Sequence, residues 1–147
     1  KWDELKKRAD EQGVKLCSLY GSLEMDIAEL EEEEAAAFTE GLDITEPGRE
    51  RLIEEAYRVL GLISFFTCGP DEVRAWTLHD GDNAVDAAGA IHSDLARGFI
   101  RAQVVAFDDY KKHGSSFDEC RKAGCLRLEG KEYIVKDGDI IEIRFNV

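Results

Sequence analysis

At Leu62 the spacing of apolar residues changes period, and that change divides the 147-residue chain into two parts that fold by different rules. Before it, apolar side chains recur at helical intervals. Trp2, Leu5 and Ala9 precede Gly13; Leu23, Ile27, Leu30 and Phe38 precede Gly41; Leu52, Ile53, Ala56, Tyr57 and Leu60 precede Gly61. After it they alternate. At the far end Ile141, Ile143, Phe145 and Val147 interleave with Glu142, Arg144 and Asn146, a pattern that sets one strand face in a core and the other in water. Residues 1–62 are therefore expected to form one part and residues 63–147 another.

In the first part the apolar run Val14 to Tyr20 has strand length and follows the first helix, so the expected order is helix, strand, helices, as at the end of an α/β unit. Thr45, Glu46 and Pro47 open the last helix, because proline's missing N–H costs nothing in a first turn. The glutamates Glu31 to Glu34 read as a solvated helix face. In the second part Ile63 to Thr67 and Glu72 to Leu78 form a hairpin across Cys68-Gly69-Pro70-Asp71, with Arg74, Trp76 and Leu78 on one face and Val73, Ala75 and Thr77 on the other. Asn83, with Asp86 three residues later, starts a helix over Ala84, Ala87, Ala88, Ile91 and Leu95 that Gly98 stops. A strand over Phe99 to Phe107 follows, then a short helix around Ser116 to Lys122 within the polar segment Asp108 to Gly124. Leu126 to Val135, broken at Gly130-Lys131, and Ile140 to Val147 complete the set. This order predicts an α+β fold of the β-grasp, ubiquitin-like kind, with one helix across a mixed sheet.

Composition excludes several functions. The net charge of −13 gives no general attraction for DNA or RNA, whose affinity comes from Lys and Arg displacing counterions, so any RNA contact must use a local basic patch. No stretch approaches a membrane span, and Lys1 to Glu11 is too charged for a secretory signal, which makes the cytoplasm the expected location. The cysteines Cys17, Cys68, Cys120 and Cys125 contain no Cys-x-x-Cys pair, and no metal site is expected. There is no Gly-x-x-x-x-Gly-Lys-Ser/Thr loop to cradle phosphates; Gly130-Lys131 precedes Glu132 and reads as a hairpin turn. His79, His92 and His113 fall at a turn, in a helix and in a polar loop, with no nucleophile motif beside them, so no catalytic residue is assigned.

The segment Phe65-Phe66-Thr67-Cys68-Gly69-Pro70-Asp71-Glu72-Val73-Arg74-Ala75-Trp76-Thr77 resembles the entry to the TGS domain of YchF-type, Obg-like ATPases. So do Ala87-Ala88-Gly89-Ala90-Ile91-His92-Ser93-Asp94, Gly98-Phe99-Ile100-Arg101-Ala102, Tyr133-Ile134-Val135-Lys136-Asp137-Gly138-Asp139 and Arg144-Phe145-Asn146-Val147. Tyr20-Gly21-Ser22-Leu23-Glu24, followed by Asp26-Ile27-Ala28-Glu29-Leu30, resembles the family's last nucleotide-binding loop, although the family more often has Ser or Cys where Tyr20 stands.

The resemblance implies that residues 1–62 are the C-terminal remnant of a P-loop G domain and residues 63–147 a TGS domain. It implies a fragment of a parent that hydrolyses ATP or GTP with magnesium and associates with ribosomes. It places Tyr20, Gly21 and Ser22 beside the purine base. Arg74, His92, Arg97 and Arg101, in or near the matching blocks, become candidate contacts of a partner surface. The remainder of the G domain is a second expected partner. Lacking the phosphate loop, this chain is expected to bind no cofactor and to hydrolyse nothing. The alternative is a free-standing ubiquitin-like module; a sulfur carrier would need a terminal Gly-Gly, and this chain ends Phe145-Asn146-Val147.

Overall fold

The computed structural model describes residues 1–41, 48–69 and 72–146. They divide into two units, Lys1–Leu60 and Gly61–Val147. The helix start expected at Thr45 to Pro47, Pro70 and Asp71 of the hairpin turn, and the terminal Val147 lie outside the described residues.

The first unit contains α1 (Trp2–Gln12), α2 (Gly21–Ala28), α3 (Glu32–Gly41) and α4 (Gly48–Leu60). Gly13 closes α1 at φ 65°, a left-handed conformation that glycine adopts without a Cβ penalty. The single helix expected from Leu23 to Phe38 is two. Glu29 and Leu30 end α2 through N–H bonds to Met25 and Ile27, and the Glu31 carbonyl starts the next helix by accepting from Ala35. Leu23, Ile27 and Leu30 are half-buried as the helical spacing requires. The Glu24 carboxylate accepts the Gly48 N–H at 2.7 Å, placing a negative charge at the positive end of α4. Arg51 donates to the Ser18 carbonyl at 2.9 Å.

The strand expected over Val14 to Tyr20 does not form. A strand needs a neighbour for its backbone groups, and no described residue of this unit offers one. Val14, Leu16 and Leu19 are exposed, as are Leu52, Ile53, Val59 and Leu60 of α4. Lys15, Cys17, Leu52, Glu55, Ala56, Val59 and Leu60 line an open apolar groove of about 390 Å³.

The second unit is built on a mixed five-stranded sheet in the order β2-β1-β5-β3-β4, formed by β1 (Leu62–Cys68), β2 (Val73–His79), β3 (Phe99–Ala106), β4 (Arg127–Glu129) and β5 (Asp139–Phe145). β1 and β2 make the expected hairpin, in register from Leu62 opposite His79 to Cys68 opposite Val73. β5 runs parallel to β1 and antiparallel to β3. β4 is shorter than the expected strand; beyond Gly130 the chain keeps a single bridge, Ile134 to Asn83.

α5 (Ala84–Ile91) crosses one face. The Asn83 side chain accepts from Val85 and Asp86, and the Asp86 carboxylate returns to the Asn83 N–H, so the capping box read from the sequence is made in full. Ala84, Ala87 and Ala88 are fully buried against Phe65, Leu78, Phe99, Ala102, Val104, Val135 and Ile141. Their small side chains let the helix lie close enough for Phe65 to be sealed, and burial of one such ring stabilises by about 1.5–3 kcal/mol. The helix does not continue to Leu95. His92 is extended (φ −165°, ψ 141°) and starts a separate helix, α6 (Ser93–Arg97), its Nδ1 accepting the Asp94 N–H at 3.2 Å.

The other face is covered at one end by α7 (Phe107–Lys112) and α8 (Phe117–Ala123). Val105, Ile140 and Cys120 are buried there, with Phe66 against Phe107 (6.1 Å between centroids) and Tyr110 edge-on to Phe117 (5.4 Å). α8 lies where a short helix was expected, between Ser116 and a left-handed Gly124. α7 was not expected, because Phe107 continues the strand's alternation; its Asp108 and Asp109 in the first turn and Lys111 and Lys112 in the last suit the helix dipole.

Where α6 gives way to β3, the Gly98 carbonyl accepts the Asn146 N–H at 2.9 Å. A Cβ on Gly98 would fall inside contact distance of the Asn146 backbone, whereas one on Gly130 would meet nothing. Gly98→Ala is therefore expected to destabilise by about 1–3 kcal/mol through overpacking. Gly130→Ala should stay within about 0.5 kcal/mol of the parent sequence in urea melts. Equal effects of the two substitutions would refute the close approach as the reason for glycine at 98.

Candidate functional site

The loop Tyr20-Gly21-Ser22 forms the start of α2. Tyr20 is the N-cap residue, with no side-chain cap bond; its carbonyl accepts from Glu24 at 3.0 Å, and its ring is 75% exposed. A Cβ on Gly21 would meet no atom, and Ser22 is exposed. The loop thus presents an aromatic ring and the free N–H groups of a helix start to solvent, which suits a flat polar ligand. Among the described residues of this unit no glycine-rich lysine loop stands beside it to hold a triphosphate.

The four polar residues singled out in the second unit do not form one surface. Arg74 lies on the face of the sheet that Trp76 and Leu78 share with α5, its guanidinium 4.1 Å from the Trp76 ring centre. Trp76 in turn donates to Thr67 Oγ1 at 2.9 Å and stacks near Phe65. His92 and Arg97 come together on α6 through Asp94, whose N–H binds His92 Nδ1 and whose carboxylate takes the Arg97 guanidinium. Arg101 projects from the opposite face, because its neighbour Ala102 packs into the α5 core. Directly across the ladder from Arg101 stands Arg144, an outward-facing strand residue in the last matching block that was not singled out as a contact. No local pattern marks that pair, since it exists through register between distant segments.

A polar cluster that sequence reading missed sets the start of β5. Asp139, only 2% exposed, receives Arg127 at 3.1 Å, the Tyr133 hydroxyl at 2.7 Å and the Lys136 N–H at 2.9 Å. Such a fully paired buried carboxylate is structural. It pins the turn that delivers Glu142 and Arg144 to their ladder positions. Burial first, and then the hydrogen bond to Asp139, push the Tyr133 hydroxyl up to about 12. Cys120 is likewise pushed up to about 11 by burial and by its hydrogen bond with Cys125, which leaves it unreactive at neutral pH. Among the described residues no group of three His, Cys, Asp or Glu side chains is placed to hold a metal ion, and no helix is long and apolar enough to cross a membrane.

Residues 62–146 match a protein-family model, the YchF-GTPase C-terminal model, described as "protein of unknown function (DUF933)". The chain is 45% identical over 145 residues to the "Ribosome-binding ATPase YchF" of Haemophilus ducreyi, an alignment covering 99% of this chain and 40% of that protein. It is 46% identical over 144 residues to the protein of the same name from Bacillus subtilis, covering 98% and 39% respectively. The chain thus spans about two fifths of the length of the curated relatives it matches. Among solved structures, the Schizosaccharomyces pombe YchF GTPase superposes with a TM-score of 0.84 at 34% identity, over 97% of this chain and 38% of that one. A GTP-binding protein from Pyrococcus horikoshii gives 0.64 at 19% identity, over 98% and 41%, a likeness of fold alone.

The Asp139 cluster carries a pH dependence. Because folding raises the Tyr133 pKa from 10 to about 12, the neutral phenol is favoured in the folded state. Its contribution is intact below pH 10 and is lost as pH rises toward 12. Urea melts across that window should show this loss in the parent sequence and a smaller one in Tyr133→Phe. Identical alkaline profiles would remove Tyr133 as its source.

Proposed function

The chain belongs to the YchF family, and from that membership we propose that it is the C-terminal interaction part of a ribosome-associated, nucleotide-hydrolysing protein and hydrolyses no nucleotide itself. The observation that carries this reading is that both units align, end to end, with proteins named ribosome-binding ATPases.

Residues 63–147 are read as a TGS domain of β-grasp form. The strand order β2-β1-β5-β3-β4, with its parallel β1–β5 pair at the centre and α5 across one face, supports that reading. Residues 1–62 are read as the last part of a G domain. The unpaired run Val14 to Tyr20 and the uncovered apolar stripe of α4 support it, because both are surfaces that a larger sheet and its helices would cover. In that setting Tyr20, Gly21 and Ser22 contact the purine base.

ATP or GTP with magnesium would be held mainly by the remainder of the parent. The fit is partial: the loop at Tyr20 is open enough for a base, but the chain has no glycine-rich lysine loop for phosphates. No hydrolytic step is therefore derived from these residues. The working location is the cytoplasm, where ribosomes are.

Isothermal titration of this chain with ATP and magnesium should show no micromolar binding, because phosphates supply much of the affinity in P-loop proteins. A full-length relative should bind and turn over nucleotide under the same conditions. Pelleting with ribosomes at low salt should carry this chain down. Micromolar ATP binding would overturn the assignment of residues 1–62, and absence of pelleting would overturn the ribosomal role.

A further inference from the structure

We propose that Cys120 and Cys125, at the end of α8, are a redox-active pair that a peroxide closes into a reversible disulfide. The site is separate from the loop at Tyr20, and it holds whether or not the chain meets a ribosome.

The last turn of α8 brings the two sulfurs together. Gly124, at φ 77°, turns the chain back so that its N–H reaches the Arg121 carbonyl at 3.1 Å and the Cys125 N–H reaches the Cys120 carbonyl at 3.0 Å. In a helix end bonded this way the side chains at the positions of Cys120 and Cys125 meet, a contact that apolar residues commonly fill. Here both are cysteines. The Cys125 thiol donates to the Cys120 carbonyl at 3.3 Å, and the Cys120 thiol hydrogen-bonds with that of Cys125. The backbone thus already holds the two sulfurs within reach of one another, which is the condition for a bond without refolding.

Burial divides the roles. Cys120 is fully buried and its thiol is pushed up to about 11, so it holds little thiolate and does not react with an oxidant on its own. Cys125 is only half-buried and can be reached from solution. Its sulfur attacks the peroxide: an S–O bond forms, the O–O bond breaks, and the leaving oxygen takes the thiol proton, as water where the oxidant is hydrogen peroxide. The Cys120 sulfur, held against the resulting sulfenic acid, then displaces its hydroxyl. The S–S bond forms, the S–O bond breaks, and the hydroxide leaves as water with the Cys120 proton. The pair loses two electrons and the peroxide gains them.

A dithiol reverses the bond by exchange. In a reducing cytoplasm such a bond is transient, the form in which intracellular disulfides usually occur. The remaining cysteines are placed differently: Cys68 hydrogen-bonds with the Tyr110 hydroxyl, and Cys17 is exposed in the first unit. Closing the pair ties the end of α8 to the segment that enters β4. The ring it closes is short, so it constrains little of the unfolded chain.

The test is mass spectrometry of the whole folded chain after graded hydrogen peroxide, with the remaining thiols blocked by N-ethylmaleimide in denaturant. Trypsin cuts after Arg121 and Lys122, between the two cysteines, so the bond joins a peptide ending at Arg121 to the peptide Ala123 to Arg127. That joined species is expected, and dithiothreitol should abolish it while the melting temperature of the oxidised chain holds or rises slightly. Cys125→Ser keeps the buried Cys120 and should leave it fully available to the maleimide at peroxide concentrations that close the pair in the parent sequence. Cys120→Ala should leave Cys125 as a sulfenic acid that dimedone captures. Cys17→Ser should change nothing. Free labelling of both Cys120 and Cys125 after Cys17 is fully oxidised overturns the proposal. So does a bond from Cys125 to Cys17 or Cys68 in place of Cys120. Pairing that forms only in urea, or that lowers the melting temperature, also overturns it, because the folded turn would then not be what brings the sulfurs together.

Discussion

The second unit depends on where its last strand goes. β5 inserts between β1 and β3, parallel to one and antiparallel to the other, and so joins a hairpin from the start of the unit to a strand from its middle. Ile141 is buried toward α5 and the adjacent Ile140 toward α7 and α8, so the strand anchors both layers at once. Pairing across that sequence distance carries a loop-closure cost, which must be offset at both ends of the strand. At one end Asp139 gathers Arg127, Tyr133 and the Lys136 N–H; at the other, Asn146 bonds to Gly98. The register is thereby fixed by polar groups outside the ladder as well as by the apolar pattern within it, and a slip of one residue would turn Ile141 out of the core.

Features with local causes were legible in the sequence. Asn83 and Asp86 cap α5 because both partners lie within one turn, and Gly13 and Gly124 end helices in the left-handed conformation that their positions demand. The alternation of Ile141 and Ile143 against Glu142 and Arg144 gave the inward face of β5, but Phe145, expected on that same face, lies at the strand's end and is exposed. Features with distant causes were not legible. One local break was missed as well: the helical pattern runs through His92 without interruption, yet the His92 side chain captures the Asp94 N–H and begins a new helix. Phe107 reads as the end of a strand, but its N–H bonds to Gly138 and its ring packs on Phe66, which turns the chain into α7. Val14 to Tyr20 has the composition of a strand and lacks a ladder partner among the described residues of its unit.

The interaction residues divide along the same line. Arg74, His92, Arg97 and Arg101 could be singled out because they occur in or near recognisable segments, but sequence proximity did not say which faces they occupy. Three of them are engaged within the chain, by Trp76 or through Asp94. Arg144 also lies in such a segment, but that it stands opposite Arg101 is a matter of register between distant strands and is not written in either segment.

The two units differ in how they treat apolar surface, and the difference bears on the chain's behaviour in solution. The second seals Phe65, Val104 and Ile141 within its own layers. The first buries only Gly48 among its described residues and leaves Leu52, Ile53, Val59 and Leu60 on the surface of α4. Exposed apolar stripes of this kind favour association, and residues 1–62 also carry most of the chain's negative charge, 17 Asp and Glu against 8 Lys and Arg. Charge repulsion opposes self-association while the stripe favours burial. A partner that covers α4 must therefore bring apolar surface for the stripe and either screen or complement the acidic flanks. A second copy of the same unit supplies the first and not the second, so the balance favours a different surface over self-pairing.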